Sequence, residues 1–223
     1  MKILALLFVV ITGYCAKENL HGASFVFSKI SQTSRVVLNL TEVPEPLSNI
    51  TVCLQSYTDN VQEDSLFKLV DTNSKAQFHL FQVRNYYNIF IDQTQVYYVT
   101  SPESMEWRLI CVSWESGTGL IHFVVNGKLF PMRVLAPGFI IDQEVTAVLG
   151  HHLSSTGIYL SNSFSYIGEI RNVHMWDRAF HPSEMQSLYF TNCNQCNGSV
   201  INWNSVDYEV HGDIFLYKPS VKP

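Results

Sequence analysis

The feature that most constrains the fold is a succession of short strand-like segments with little helical pattern between them. The segments SFVFSK, SRVVLNL, NITVCLQSY, SLFKLV, AQFHLF, YYNIFI and QVYYV follow one another closely, with Ser, Asn, Asp and Pro punctuation between them. MEWRLICVSWE and GLIHFVVNGKLF continue the series, and Asn126-Gly127 in the second marks a type I′ hairpin. Many short strands at regular spacing predict an all-β sandwich or jelly roll.

One segment, FHPSEMQSLYF, has the pattern of a helix. Pro182 suits a first helical position, and Glu184 places negative charge in the first turn. Met185, Leu188 and Tyr189 share one face at helical spacing. Because this helix is short and apolar on one face, we expect it to lie on the sandwich.

The chain begins with the pattern of a signal peptide. Lys2 precedes the apolar run ILALLFVVI, which is followed by TGYCA. Cleavage after Cys15 places small residues at the two required positions, and cleavage after Ala16 is the rival; a buried N-terminal strand is the alternative interpretation. The run is too short to span a bilayer, and no later stretch is apolar enough to anchor the chain. We therefore predict a signal peptide over residues 1–16 and secretion to the extracellular space.

Composition bounds the class of protein. Hydrophobic residues make up 47% of the 223 residues and charged residues 15%, so the chain has enough apolar material for a core. We find no linker or repeat, which predicts one domain over residues 17–223. The formal net charge is −5 and there is no basic run, so nucleic acid and anionic membrane surfaces are excluded as favoured partners.

Beyond the signal peptide the chain has an even number of cysteines, Cys53, Cys111, Cys193 and Cys196, which predicts two disulfides in a secreted protein. Cys193 and Cys196 form the motif CNQC. Three interpretations compete for it: a local disulfide, a bridge to another chain, and half of a metal site. A zinc site needs more ligands than the neighbouring sequence offers, so a disulfide, local or intermolecular, is favoured.

Three Asn-x-Ser/Thr sequons, at Asn39, Asn49 and Asn197, are candidate glycosylation sites. Enzyme motifs are weak by comparison. There is no G-x-S-x-G, and nothing in the sequence brings Glu115 and Glu169 together as the facing carboxylates of a glycosidase. We predict that the chain is not an enzyme.

The segments CVSWESGTGLIHFVVNGK and IGEIRNVHMWD resemble the short pentraxins, the family of C-reactive protein and serum amyloid P component. Cys111, Ser113, Trp114 and Ser116 fit the family signature, whereas Leu109 stands where a His is usual. The likeness extends to SFVFSK, PLSNITVCL and INWNSVDYEVHGDIF, and so covers essentially the whole mature chain.

The resemblance implies a two-sheet antiparallel jelly-roll sandwich of the pentraxin, laminin-G and concanavalin-like kind, with one short helix on one face. It also implies a disulfide between Cys53 and Cys111 and a homopentamer. In the family, the face opposite the helix holds calcium, which binds phosphocholine, phosphoethanolamine or carbohydrate. The helix face engages complement and Fc receptors.

The positions that carry calcium ligands in the family have lost their acids in this chain. Calcium takes about six to eight oxygen ligands, with carboxylates supplying the compensating charge. Asp71 and Asn73, a few residues upstream of the early pair, are alternative ligands if the register differs. The family positions hold Lys75, Ala76, His152, Leu153, Ser154, Ser161 and Phe164. None is acidic and one is cationic, so we predict no calcium at the family site and no other cofactor.

Three further residues are candidates for a ligand face. Phe81 stands where the family packs an aromatic ring against choline methyl groups, but the acidic partner falls near Val96, so that subsite is incomplete. His151 and His152 carry imidazoles, which suit zinc or copper. Because adjacent strand residues point to opposite faces, solvated or hydrogen-bonded histidines are the favoured interpretation.

Two hypotheses of function follow. The first is a secreted, homo-oligomeric, pentraxin-like binding protein of the pattern-recognition or lectin type. Its ligand would be a glycan, a phospholipid head group or a protein. The second is an extracellular scaffold module that keeps the fold and binds no small ligand.

Overall fold

Two antiparallel β-sheets form the structure, a computed structural model that describes residues 19–31, 33–40, 45–59, 63–100, 105–151, 165–193 and 195–219. The strands, numbered along the chain, are β1 (Ser24–Phe27), β2 (Arg35–Leu38), β3 (Asn49–Tyr57), β4 (Glu63–Asp71), β5 (Ala76–Val83), β6 (Tyr86–Ile91), β7 (Thr94–Val99), β8 (Arg108–Glu115), β9 (Leu120–Val125), β10 (Lys128–Leu129), β11 (Arg133–Val134), β12 (Val145–Leu149), β13 (Gly168–Trp176), β14 (Ile201–Asn202), β15 (Tyr208–His211) and β16 (Ile214–Tyr217). The all-β, two-sheet jelly-roll prediction is confirmed.

The strand order interleaves distant parts of the chain. One sheet has the order β10-β9-β8-β3-β13-β1-β16, with β11 paired to β9 and β14 paired to β13. The other has the order β15-β2-β12-β4-β5-β6-β7. We call them the nine-stranded and seven-stranded sheets. Long-range pairs such as β13 with β3 therefore hold together segments that local sequence pattern cannot connect.

The core lies between the sheets and is made by alternate residues of their strands. In β6, Tyr87 and Ile89 are buried in this core, whereas Asn88 between them points to the opposite face of its sheet. Trp114 and Trp203 are the largest fully buried side chains. The indole nitrogen of Trp114 donates to the carbonyl of Leu135 at 2.9 Å, so its one polar group is satisfied inside the core.

The described residues include one helix, α1 (Pro182–Phe190), which packs against β9 and β10 of the nine-stranded sheet. His181 caps it, and the backbone N–H of His181 donates to Glu184 at 2.9 Å, which completes a capping box. Met185 is buried and Leu188 is partly buried, but Tyr189 is 42% exposed, so the apolar face is narrower than the sequence pattern indicates.

A second apolar cluster, the helix-side cluster, fills the space between α1 and the nine-stranded sheet. Its buried members are Cys53, Leu109, Cys111, Val124, Trp176, Phe180, Met185, Cys193 and Cys196. Because α1 covers this sheet, the free outer face of the sandwich is the outer face of the seven-stranded sheet.

The predicted signal peptide, residues 1–16, lies outside the described residues. Among the helical residues that are described, no segment is both long and apolar enough to cross a membrane.

Candidate functional site

We call the outer face of the seven-stranded sheet the ligand face. The alternation of side chains along β5 shows which of its residues lie on that face. Phe78 and Leu80 point into the core, so Gln77, His79 and Phe81 between and beside them point outward. This is the face opposite the helix, where the family resemblance places the calcium ions. The described residues that are candidates for a ligand site lie on this face.

The turn between β4 and β5, residues 71–76, is closed by the side chain of Asp71. Its Oδ1 accepts hydrogen bonds from the backbone N–H of Asn73 at 2.9 Å and of Lys75 at 2.8 Å. Its Oδ2 accepts from Nε2 of Gln77 at 3.2 Å. Both oxygens of this carboxylate therefore bind N–H donors that fix the turn.

The same turn carries the ammonium group of Lys75, the residue that the sequence analysis predicts at a family calcium position. Lys75 Nζ lies 3.2 Å from Oδ1 of Asp92, an acid in the turn between β6 and β7. Ala76 follows as the first residue of β5 and pairs with Val70. The ion pair joins the β4–β5 turn to the β6–β7 turn. Lys75 thereby neutralises the carboxylate of Asp92.

A polar cluster that the sequence analysis missed lies on the ligand face beside this turn. Lys68 is 1% exposed and pairs in register with His79 across β4 and β5. Burial lowers the pKa of Lys68 to about 8. The hydroxyl of Ser65 lies 3.0 Å from Nε2 of His79 and donates to the carbonyl of His151 at 3.1 Å. A lone lysine inside the otherwise apolar segment SLFKLV was the available sequence signal for this cluster.

Beyond this cluster, an open groove of about 760 Å³ crosses β5, β6 and β7. It is lined by Phe81, Val83, Tyr86, Asn88, Gln95, Tyr97 and Val99, none of which is charged. Tyr97 is 61% exposed, and its ring centroid lies 6.1 Å from that of Tyr86 in an edge-to-face arrangement. The groove thus offers aromatic rings and side-chain amides side by side.

The predicted ligand-face residues have different surroundings. Phe81 lines the groove and packs on the ring of His79, with the two centroids 4.7 Å apart. His151 is buried, just past the end of β12. Val96, near the expected acidic position, packs against the core, so its neighbours Gln95 and Tyr97 face the groove instead.

Of the family calcium positions, only Lys75 and Ala76 are within the described residues. The positions held by His152, Leu153, Ser154, Ser161 and Phe164 lie outside them.

The cysteines pair within the chain. Cys53 and Cys111 are bonded across β3 and β8, with their Cα atoms 4.2 Å apart. Cys193 and Cys196 are bonded locally, with a Cα separation of 5.0 Å. Of the three interpretations of the CNQC motif, the structure agrees with the local disulfide.

The candidate glycosylation sites differ in exposure. Asn39 and Asn197 are exposed, whereas Asn49 is half-buried at the start of β3. Their modification stays a prediction.

The two candidate glycosidase carboxylates are far apart. Glu115 pairs with Asn49 at one end of β3, and Glu169 pairs with Tyr57 at the other end. A strand rises about 3.3 Å per residue, which separates the two on the order of 25 Å, whereas glycosidases hold their carboxyl groups roughly 5–10 Å apart. These acids do not form a catalytic pair.

Comparison with known proteins decides the family. A sequence model described as the Pentaxin family matches residues 23–219. The chain belongs to the pentraxin family. This pentraxin is 36% identical to C-reactive protein of Xenopus laevis over 215 residues, which cover 95% of this chain and 90% of the relative. It is 30% identical to serum amyloid P-component of Cavia porcellus, covering 96% and 95% of the two chains.

Solved structures agree on the fold. The native heptameric SAP-like pentraxin of Limulus polyphemus matches this pentraxin with a TM-score of 0.77, at 16% identity, covering 89% of this chain and 95% of the other. The family consists of binding proteins that are not enzymes, so the non-enzyme prediction is confirmed. Calcium is the cofactor of the family.

Proposed function

We propose that this pentraxin is a secreted, homo-oligomeric binding protein whose ligand face binds glycans without calcium. The closed turn at residues 71–76 carries the proposal. Asp71, the alternative acid in that turn, uses both carboxylate oxygens on N–H donors, and the family position beside it presents the ammonium of Lys75. The residues of this turn do not fit a calcium ion.

Electrostatics reinforces the misfit. A calcium ion in this turn would lie beside Lys75, which is already paired with Asp92. A second cation, Lys68, lies buried under the same face and is mostly protonated at neutral pH, since its pKa is about 8. Desolvating a divalent cation beside ammonium groups is unfavourable by several kcal/mol unless acids compensate the charge.

The groove supports a neutral, polar ligand. Aromatic rings stack on the apolar faces of sugar rings, and the amides of Asn88 and Gln95 donate and accept hydrogen bonds as sugar hydroxyls require. A choline head group lacks the acidic partner it needs, because Gln95 and Tyr97 occupy the outward positions around Val96. A volume of about 760 Å³ lies within the range of small-ligand sites.

Assembly is supported by exposed apolar residues at opposite edges of the nine-stranded sheet. At the β16 edge, Phe215 is 64% exposed and Tyr217 is 56% exposed. At or beside the other edge, Leu129, Met132 and Val134 are 42%, 59% and 57% exposed. Two different apolar patches on opposite edges suit a head-to-tail contact between copies, which closes into a ring. A homopentamer follows the resemblance to the short pentraxins.

Secretion is supported by the sequence of residues 1–16 and by the two disulfides, which form and persist in oxidising compartments.

Calcium is expected to leave this pentraxin unchanged. Because Asp71 is the single acid of the turn at residues 71–76 and already accepts three hydrogen bonds, titration calorimetry should show no binding heat beyond dilution. The melting temperature should be the same in millimolar calcium and in chelator. A micromolar affinity for calcium would refute the degenerate-site proposal.

Replacing Tyr97 by Ala is expected to weaken glycan binding about tenfold, because a stacked aromatic ring contributes roughly 1–2 kcal/mol. The measurement is a glycan array in chelator, followed by affinity determination on the best ligand. Tyr189→Ala is the matched control, since Tyr189 is an exposed tyrosine on α1, away from the groove. If the wild-type protein bound no glycan on the array, the scaffold hypothesis would be favoured instead.

A further inference from the structure

Three soft or borderline metal ligands converge on the helix-covered side of the molecule, away from the ligand face. His174 lies on β13 directly opposite Cys53 of β3, and Cys193 and Cys196 follow the end of α1. One ligand atom each from His174, Cys193 and Cys196 lie within 4.8 Å of one another, and all three residues are buried. Thiolate and imidazole are the donors of structural zinc sites, and a Cys-x-x-Cys pair has the spacing that such sites use.

The histidine of this cluster has unused bonding capacity. His174 is 1% exposed, and within the part of the chain that the structure describes its Nδ1 has no hydrogen-bond partner. Buried polar atoms are nearly always satisfied, so a buried imidazole with an unpartnered nitrogen, in a residue that lies next to two cysteines, points to a ligand.

A cavity of about 100 Å³ gives access to the cluster. His174 and Cys193 contribute to its wall, and so does His21, an exposed histidine from the segment before β1. The cavity therefore reaches the wall that holds the imidazole and one sulfur atom of the cluster.

We propose that reduction of the Cys193–Cys196 disulfide converts this cluster into a zinc site with His174 as third ligand. A dithiol reductant supplies two electrons and two protons. The protein S–S bond breaks, two cysteine thiols form, and the reductant becomes a cyclic disulfide. Zinc binding then releases the two thiol protons, and the two thiolates balance the charge of the ion.

The redox state gates the site for a chemical reason. In the disulfide neither sulfur is a thiolate, and only thiolates bind zinc well. In a tetrahedral site, Zn–S and Zn–N bonds of roughly 2.3 and 2.0 Å hold ligand atoms about 3.4–3.8 Å apart. The two sulfur atoms must therefore separate from bonding distance, about 2 Å, to about 3.8 Å, which opening the disulfide permits.

Folding protects the two disulfides unequally. The Cys193–Cys196 bond spans a sequence separation of 3, whereas the Cys53–Cys111 bond spans 58. A disulfide that stabilises the folded protein is harder to reduce in the folded protein, by the same free energy. A disulfide that closes a short loop stabilises the fold least, so folding protects it least against reduction. Mild reduction of the folded protein should therefore open Cys193–Cys196 first.

The test uses the full secreted chain in both redox states. The protein is reduced with a dithiol under native conditions, desalted without oxygen, and the free thiols are mapped by alkylation and mass spectrometry. Zinc is titrated against a chromogenic chelator, and cobalt(II) serves as an optical probe of tetrahedral thiolate ligation. We expect one zinc per reduced chain and none in the oxidised chain.

Variants assign the ligands. A Cys193→Ser/Cys196→Ser chain should take no zinc after the same reduction, which also controls for thiols freed from Cys53 and Cys111. His174→Asn should weaken zinc binding by more than about tenfold. Mutating a residue that only hydrogen-bonds to a metal ligand already lowers metal affinity about tenfold or more, and His174 is proposed as a ligand itself. His122→Asn is the matched control, because His122 is a half-buried histidine of β9 outside the cluster.

Three results would overturn the proposal: no zinc bound by the reduced wild type, equal binding in the two redox states, or full binding by the serine variant. If His174→Asn fails to fold, the variant His174→Gln and the cobalt spectrum of the reduced wild type decide the ligation.

Discussion

Replacing Cys53 and Cys111 together by alanine is expected to lower the free energy of unfolding by about 4 kcal/mol, whereas the same change at Cys193 and Cys196 should lower it by only about 2 kcal/mol. The reason is the loop that each bond closes in the unfolded chain. The separations are 58 and 3 residues, so the first bond removes far more entropy from the unfolded state.

Urea denaturation of the two double variants under oxidising, metal-free conditions measures the difference. The variants are matched, because all four cysteines belong to the helix-side cluster and are buried there to nearly the same extent. Equal losses of stability would show that packing in the cluster, and not chain entropy, sets the contribution of both bonds.

Changing Phe215 to Lys is expected to convert the oligomer into monomers at micromolar concentration. In the proposed ring, Phe215 at the β16 edge packs against the exposed apolar residues of the next copy. An unpaired ammonium buried in that contact costs at least about 3 kcal/mol, which is roughly a hundredfold in each subunit dissociation constant. Size-exclusion chromatography with light scattering and native mass spectrometry measure the assembly.

Tyr86→Lys is the control for assembly, since the exposed Phe190 lies near the β10 edge, because α1 packs on β9 and β10. Tyr86 is 39% exposed on β6, an inner strand of the other sheet, and its substitution should leave the oligomer intact. A monomeric wild type, or a Phe215→Lys chain that assembles normally, would contradict the edge-to-edge arrangement.

The proposals assign separate roles to separate faces. The ligand face carries the closed turn, the buried lysine and the groove, and the edges of the other sheet carry the assembly patches. The helix-covered face carries the disulfides and the proposed zinc cluster. A change on one face should therefore leave the readouts of the other two unaffected, since sites far apart contribute independently.

The local sequence pattern was enough to predict much of the architecture. The predicted strands from SFVFSK to QVYYV all form, because period-two alternation reports directly which side chains face a core. Pro182 and Glu184 marked the start of α1 because first-turn preferences depend on neighbouring backbone groups alone. The same pattern does not place Trp107, near the start of the segment MEWRLICVSWE. It is half-buried, with the guanidinium of Arg171 stacked on its ring at 3.8 Å.

By itself, then, the sequence determined the all-β class and the place of the helix, since these follow from residue type and short-range spacing. The loss of acids at the family calcium positions stays a prediction from the sequence. Only the tertiary structure decided that Lys68 is buried beside His79 and that His174 lies next to Cys193 and Cys196. Such contacts depend on strand register and on pairing between distant segments, and both are properties of the whole packed sandwich.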